Sequence, residues 1–367
     1  MTELQLDALD TLFFRDGKPF SLGEESWADG LFPPSPSVLY GAIRSTYALL
    51  QGIPFEQIES ETAALNICSM YLRFEGQRNG NYLPLPREYG EYKQKSEGQR
   101  HSEQVGEYTD LVKLIPQKDL ITQFQTGTAA SSLQTGPGWL LGAPHAGRPI
   151  DTPADAWMGE EDFSDYLFGE AQDTLKGKRL QPLVPEEPKI GIARDRYTRS
   201  SAEGRLYRVG MRRVSRLHIR VRFQGLDFSS ISSGMMKLGG EGKTVHFRNL
   251  SHFPDLKPWQ WEFPEKAVSR FKVYLSTPAM LEHSIPDLQR HLGIAARFLG
   301  ACSGKAVHIG GFDMKRRRPK PMRLAAPAGS VYLFESDTPV QLAPLQGLSL
   351  SDFLPEQGFG ISYFAHM

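Results

Sequence analysis

Ten arginines stand between Arg194 and Arg222, at positions 194, 196, 199, 205, 208, 212, 213, 216, 220 and 222, against two acids, Asp195 and Glu203. The local excess is eight positive charges. Arginine presents a planar fork that holds a phosphate through two parallel hydrogen bonds and also stacks on bases, while solubility alone is served equally well by lysine and glutamate. Tyr197, Tyr207 and Phe223 are interleaved with these arginines as stacking platforms. The chemistry such a run offers is capture of a polyanion by its backbone. A second basic cluster is Lys315-Arg316-Arg317-Arg318 with Lys320 and Arg323, and acids gather from Asp151 to Asp173. Because Lys plus Arg equals Asp plus Glu at 42 each, the net charge is zero and only this segregation points to a basic face.

Other chemistries fail on spacing. Gly239-Gly240-Glu241-Gly242-Lys243-Thr244 ends like a phosphate-binding P-loop, but the glycine required five residues before Gly242 is Lys237. In Ser303-Gly304-Lys305-Ala306 the corresponding position is Leu299, and the Ser or Thr is missing. A glycine pair still lets backbone amides approach a phosphate, although an ordinary turn explains it equally well. General acid–base cleavage of RNA needs a titratable group near the 2′-hydroxyl, and none of the nine histidines precedes His101. His218, His246 and His308 fall in expected strands, and His252 and His283 have no partner at useful spacing. Cys68 and Cys302 are too few and too far apart for a disulfide scaffold or a thiolate zinc site, and no His/Asp metal constellation is visible. The sequence reading is therefore of a protein without catalytic residues, metal or cofactor.

The elements that must position these residues are legible in part. Leu12, Phe13 and Phe14 close a strand-like run from Leu4 that stops at Arg15-Asp16-Gly17, and Pro33, Pro34 and Pro36 fix an extended approach to a helix. Ser35 or Ser37 can cap it, and Leu39, Ala42, Ile43, Thr46, Tyr47 and Leu50 recur at helical spacing before Gly52-Ile53-Pro54. Arg44 lies one or two turns along, so the helix start offers amides and a positive charge to a phosphate. Ile190, Ile192 and Leu206, Tyr207, Val209 flank a polar turn, Thr198 to Gly204, and predict a hairpin carrying the arginines. Leu288, Leu292, Ala295, Ala296 and Leu299 predict a second helix over 285–299 after a strand at 271–276. Gly239-Gly240 is expected between a helix-like stretch and a strand at 244–247.

A chain of 367 residues with 40% hydrophobic content suggests two domains with ample cores. No long apolar run and no charged-then-apolar leader is present, which reads as a cytoplasmic protein with no membrane partner. Residues 90 to 185, rich in Gly, Pro, Gln and Ser, read as an insertion of loops and short helices.

The opening string, Asp10 to Phe20 with Pro33 to Arg44, resembles the start of the third subunits of the Cmr-type (type III-B) CRISPR effector complex, which belong to the RAMP superfamily. Leu238 to Glu241, Lys189 to Arg199 and Pro327 to Glu335 are similar to further segments of that family in the same order. The resemblance implies an α+β fold of two ferredoxin-like (RRM-like) RAMP domains: 1–264, with the insertion at about 90–185 and an Arg-rich hairpin at about 189–223, and 265–367. It implies a non-catalytic RNA-binding subunit that holds the 5′ repeat-derived tag of the CRISPR RNA, beside the large Cas10-type subunit and a backbone RAMP subunit. The candidate RNA contacts are then Arg15, Ser35, Ser37, Arg44, Arg194, Arg196, Arg199, Arg205, Arg208, Gly239, Gly240 and Lys243. A processing endoribonuclease of the same superfamily and a protein-only scaffold whose arginines meet acidic neighbours stay open as alternatives.

Overall fold

A computed structural model describes residues 1–15, 27–28, 30–77, 80–92, 107–116, 141–142, 150–153, 155–194, 201–260, 262–313 and 315–367. The chain is built mainly of antiparallel strands with few helices, an architecture compatible with the α+β class. Strand β1 (Thr2–Ala8) leads to helix α1 (Pro36–Leu50), then β2 (Asn66–Phe74), and the chain returns much later as β10 (Leu217–Gln224), β11 (Ser233–Lys237) and β12 (Thr244–Asn249). Between them lie β3 (Asn81–Pro84), β4 (Tyr89–Tyr92), β5 (Tyr108–Lys113), β6 (Ala156–Gly159), α2 (Glu160–Phe168), β7 (Thr174–Arg179), β8 (Glu186–Arg194) and β9 (Ser201–Arg212).

One sheet of eleven strands runs β11-β12-β1-β10-β2-β3-β6-β7-β5-β4 and ends on the short strand Ile150–Asp151. A second sheet contains β13 (Val268–Leu275), β14 (Arg297–Cys302), β15 (Val331–Val340) and β16 (Ser362–His366), in the order β14-β15-β13-β16. A short helix α3 (Leu288–Leu292) joins β13 to β14. Numbered by their place in the chain, β1, β2, β10 and β12 lie fourth-first-third-second across the sheet, and so do β13, β14, β15 and β16. The same strand order is built twice.

Strand alternation distributes the cores, because successive side chains leave opposite faces of a sheet. On β15, Val331 and Leu333 enter the large core shared with the first sheet, whereas Tyr332 and Phe334 enter a second core with Phe271, Val273 and Leu288. Helix α1 places Leu39, Ile43 and Ala42 in the large core. Its cap position is Ser35, yet the Ser35 side chain caps nothing and instead meets the Ser37 hydroxyl at 3.3 Å. Among the described residues no helix is long and apolar enough to cross a membrane.

Three expectations are corrected. The stripe expected as a helix over 285–299 is a helix only at Leu288–Leu292: Gly293 takes φ 70° and closes it, with the Ile294 amide donating back to the Leu288 carbonyl at 3.2 Å. Leu299 then belongs to β14 and to the other core. The helix-like stretch before Gly239 is edge strand β11, with Met236 buried and Met235 exposed in alternation. Within 90–185, the described residues extend the first sheet through β5, β6 and β7, with α2 as their short helix. In β5 and β7 exposed polar residues alternate with more buried ones, and β6 is only four residues long, so composition hid them.

Candidate nucleic-acid interface

A hairpin forms over 186–212, shorter than the expected 189–223: Leu217 onward is β10 of the first sheet, and Ser201 to Gly204 belong to β9 and not to the turn. β8 and β9 pair from Glu186↔Arg212 to Ile192↔Leu206, slip by one at Ile192/Arg194 and resume at Arg194↔Ser201. The opening segment completes the unit: a two-residue strand, Trp27–Ala28, runs parallel to Arg208 and Val209. Leu12 exchanges both backbone hydrogen bonds with Arg212, at 2.8 and 2.7 Å. Phe13 fills a small core with Val209 and Met211. Glycine is required where the two segments cross, since a Cβ on Gly30 would lie 2.0 Å from the Gly210 carbonyl oxygen. Arg212 seals the crossing by donating to the Gly30 carbonyl at 2.6 Å.

The glycine loop joins the same block. Gly240 donates its amide to the Phe13 carbonyl at 2.9 Å, and Gly239 has φ 83° with its missing Cβ 2.4 Å from that oxygen and 2.9 Å from the Phe14 ring. Both glycines pack against the opening segment, and the Gly240 amide, one of the donors a phosphate cradle would use, is already bonded to Phe13. Alanine at Gly239 should cost about 1–3 kcal/mol, from the unfavourable backbone region and the clash. Thermal melting together with RNA titration checks it: melting falls while affinity per folded molecule holds, and an intact fold with lost affinity would point to the cradle.

Charges around this block are paired within the chain. Lys243 reaches Asp10 at 2.6 Å, and Lys189 reaches Glu241 at 2.9 Å, tying the loop to both other segments. The Lys243 hydrogen bond is the first cause holding the Asp10 carboxyl below its ordinary value. Arg213 grips Glu187, with one contact at 2.8 Å, which lowers the Glu187 carboxyl and raises the Arg213 guanidinium. Arg208 and Arg212 share Glu186 at 3.7 and 3.3 Å. Farther along, Arg216 meets Glu107 at 2.5 Å, and Arg222 and Arg220 share Glu3 at 2.8 and 3.7 Å. Six of the ten arginines of the run are thus answered by acids from distant parts of the chain.

The remaining candidates sort as follows. Arg15 is exposed, and its backbone bridges to Gly30 at the edge of the block. Arg44 turns away from the helix start, donating to the Thr62 hydroxyl at 2.7 Å and lying over the Tyr40 ring at 5.4 Å, so it does not join Ser35 and Ser37 in one site. Arg208 and Lys243 belong to the block but carry the ion pairs just described. Arg194 and Arg205 are placed in their strands by backbone, their side chains lie outside the described residues, and Arg196 and Arg199 lie outside altogether.

Sequence reasoning missed a cleft of about 960 Å³ lined by Arg73, His218, Arg220, Arg248, Lys257 and Trp259 among others. Its residues come from segments far apart in the chain, so no spacing announced it. His218 stands there between Asp7 at 2.5 Å and Glu75 at 3.3 Å. Burial opposes ionisation of Asp7, but hydrogen bonds from His218 and Gln5, with the charges of His218 and Arg248, bring its carboxyl down to about 2. Among the described residues no group of His, Cys, Asp and Glu is arranged to hold a metal.

No curated protein matches the chain. Solved structures similar to it include two cryo-EM structures of the Type III-B Cmr-beta bound to cognate target RNA, with and without AMPPnP. Each has a TM-score of 0.48 and 14% identity over 90% of this chain and 86% of that one. The apo-state Cmr-beta structure gives a TM-score of 0.26 at 12% identity, covering 68% of this chain and 96% of the other. Residues 4–348 match the family model of CRISPR-associated protein (Cas_Cmr3), so the chain belongs to the Cas_Cmr3 family.

Proposed function

We propose that the chain is a non-catalytic, RNA-binding subunit of a type III-B CRISPR effector complex that holds the 5′ repeat-derived tag of the CRISPR RNA. Its protein neighbours in this reading are the large Cas10-type subunit and a backbone RAMP subunit. Membership of the Cas_Cmr3 family supports it. The observation that carries it is the division of charge along the hairpin. At the base, Arg208, Arg212, Arg213 and Lys189 are matched by Glu186, Glu187 and Glu241. The tip sequence from Arg194 to Arg205 keeps four arginines against Asp195 and Glu203. A neutralised base clamped by the opening segment suits a hairpin whose tip sequence carries arginines in excess of its acids, the composition a phosphate contact needs.

The twice-built fourth-first-third-second strand order is that of a ferredoxin-like domain, which supports two RAMP domains. His218 is the group on which the non-catalytic reading is tested, since Asp7 and Glu75 hold it as an oriented base would be held.

The test is guide-RNA binding by the assembled complex carrying Arg196→Glu with Arg205→Glu. Affinity should fall, and the slope of log K against log salt should flatten by about 1–2, since each lost phosphate contact on a single strand removes roughly 0.7. Unchanged affinity across the salt series overturns the hairpin assignment. Cleavage of labelled repeat RNA by the purified chain, abolished by His218→Ala, would overturn the non-catalytic reading.

A further inference from the structure

The second basic cluster forms an arm of its own. Strands Val307–Ile309 and Arg323–Ala325 pair antiparallel, and beyond Gly310-Gly311 the pairing continues as Phe312↔Pro319 and Asp313↔Arg318. One face of the root is anchored, because Val307, Ile309 and Ala325 pack with Met280 and Phe359. The rest stands in water. Phe312 is 53% exposed, Met322 42% and Leu324 59%, and residues 315–320 are all exposed. A two-stranded ribbon is marginal by itself, so exposed aromatic and aliphatic side chains on one mark a surface that a ligand covers.

Charge identifies the ligand. Lys315, Arg316, Arg317, Arg318, Lys320 and Arg323 face one acid of the arm, Asp313. That acid is used to shape the tip: it accepts the Arg316 amide at 2.9 Å, the first cause holding its carboxyl below the ordinary value, and its other oxygen lies 3.8 Å from the exposed Arg316 guanidinium. Lys315 bonds Glu59 at 3.2 Å and leans the tip onto the first half of the chain, one turn from the Thr62 that holds Arg44. Arg317 and Arg318 have no ion-pair partner among the described residues. A protein surface would answer such an arm with scattered carboxylates. Consecutive arginines beside a half-exposed phenylalanine match a strand that offers a regular row of phosphates and bases with π-faces.

We propose that the Val307–Ala325 arm is a second single-stranded RNA contact, separate from the β8–β9 hairpin, in which Arg316, Arg317 and Arg318 hold phosphates and Phe312 stacks on a base. The test is fluorescence anisotropy of the full chain with labelled oligouridine across a salt series. Arg317→Glu with Arg318→Glu should weaken binding roughly tenfold or more near 0.1 M salt and flatten the log–log slope by about 1–2. Phe312→Ala should weaken it about five- to a hundredfold with the slope unchanged. Melting temperature should hold in all of them, since these side chains are exposed. The Arg196→Glu, Arg205→Glu variant measured alongside makes the two sites distinguishable, because loss in the arm variants stands whether or not the hairpin variant responds. Unchanged oligouridine binding in the arm variants overturns the proposal. So does retained RNA binding combined with failure to join the assembled complex, which would make the arm a protein contact.

Discussion

Replacing Glu3 by alanine should cost the fold about 3–5 kcal/mol, the range for removing one member of a buried ionic group. Glu3 is 7% exposed and sits on central strand β1, where it holds three partners. Arg222 donates to it at 2.8 and 3.0 Å, Arg220 approaches at 3.7 Å, and the Tyr71 hydroxyl donates to its other oxygen. Arg220 is 2% exposed and keeps only Gln5 at 2.9 Å and the Lys257 carbonyl at 3.2 Å once the carboxylate has gone. Two guanidiniums, that of Arg220 almost wholly buried, would then lie side by side with no counter-charge. Urea denaturation of the full chain reads the loss as a lower midpoint. Glu3→Gln, which keeps an acceptor, should fall between, and a loss below about 1 kcal/mol for alanine would show that water reaches the site.

That network also explains what the arginine run conceals. Read along the sequence, Arg194 to Arg222 is a uniform basic stripe, because the acids that answer it are Glu3, Glu107, Glu186 and Glu187, which lie outside the run. Strand pairing brings in Glu3, through β1 with β10, and Glu186 and Glu187, through β8 with β9, while Glu107 arrives from the segment that leads into β5. Local charge counting therefore measured the density of arginines correctly and their availability wrongly. Strand alternation on β10 could have warned of this: Leu217, Ile219, Val221 and Phe223 face one core, so Arg220 and Arg222 had to face whatever covers the other side, and Trp259 covers it.

Elements with strong local signals were legible. Helix α1 has prolines at its entry and an apolar stripe, and the hairpin has alternation on both sides of a polar turn. The shortened α3 was missed because the stripe spans two elements in register by coincidence, though Gly293 was the signal that stops a helix. The glycine pair at 239–240 read as a ligand loop because close approach of a backbone is what glycine permits. Nothing in the sequence says that the approaching group is Phe13 of the same chain. The arm at 307–325 was visible only as its cations, since its strands are two and three residues long.

The joint between the two sheets should be as sensitive as the Glu3 site. Lys272 of β13 lies 2.8 and 3.1 Å from the two oxygens of Glu88, which precedes β4, and its ammonium sits 5.1 Å from the Tyr166 ring centre on α2. Both charges are buried, at 7% and 3% exposure, and burial with the nearby Glu88 charge holds the Tyr166 hydroxyl well above its ordinary value. Glu88→Ala should therefore lose about 3–5 kcal/mol, because the cost falls on the stranded ammonium rather than on the lost bond. Lys272→Met should lose a similar amount by stranding the carboxylate. Pairing Lys272→Met with Glu88→Leu removes both charges and keeps the volume, so the double variant should lose less than either Lys272→Met or Glu88→Leu alone. The coupling in that double-mutant cycle is then at least as large as one single loss, about 3–5 kcal/mol. Additive losses would mean that packing of the two side chains around Tyr166, and not their charges, holds the second sheet to the first.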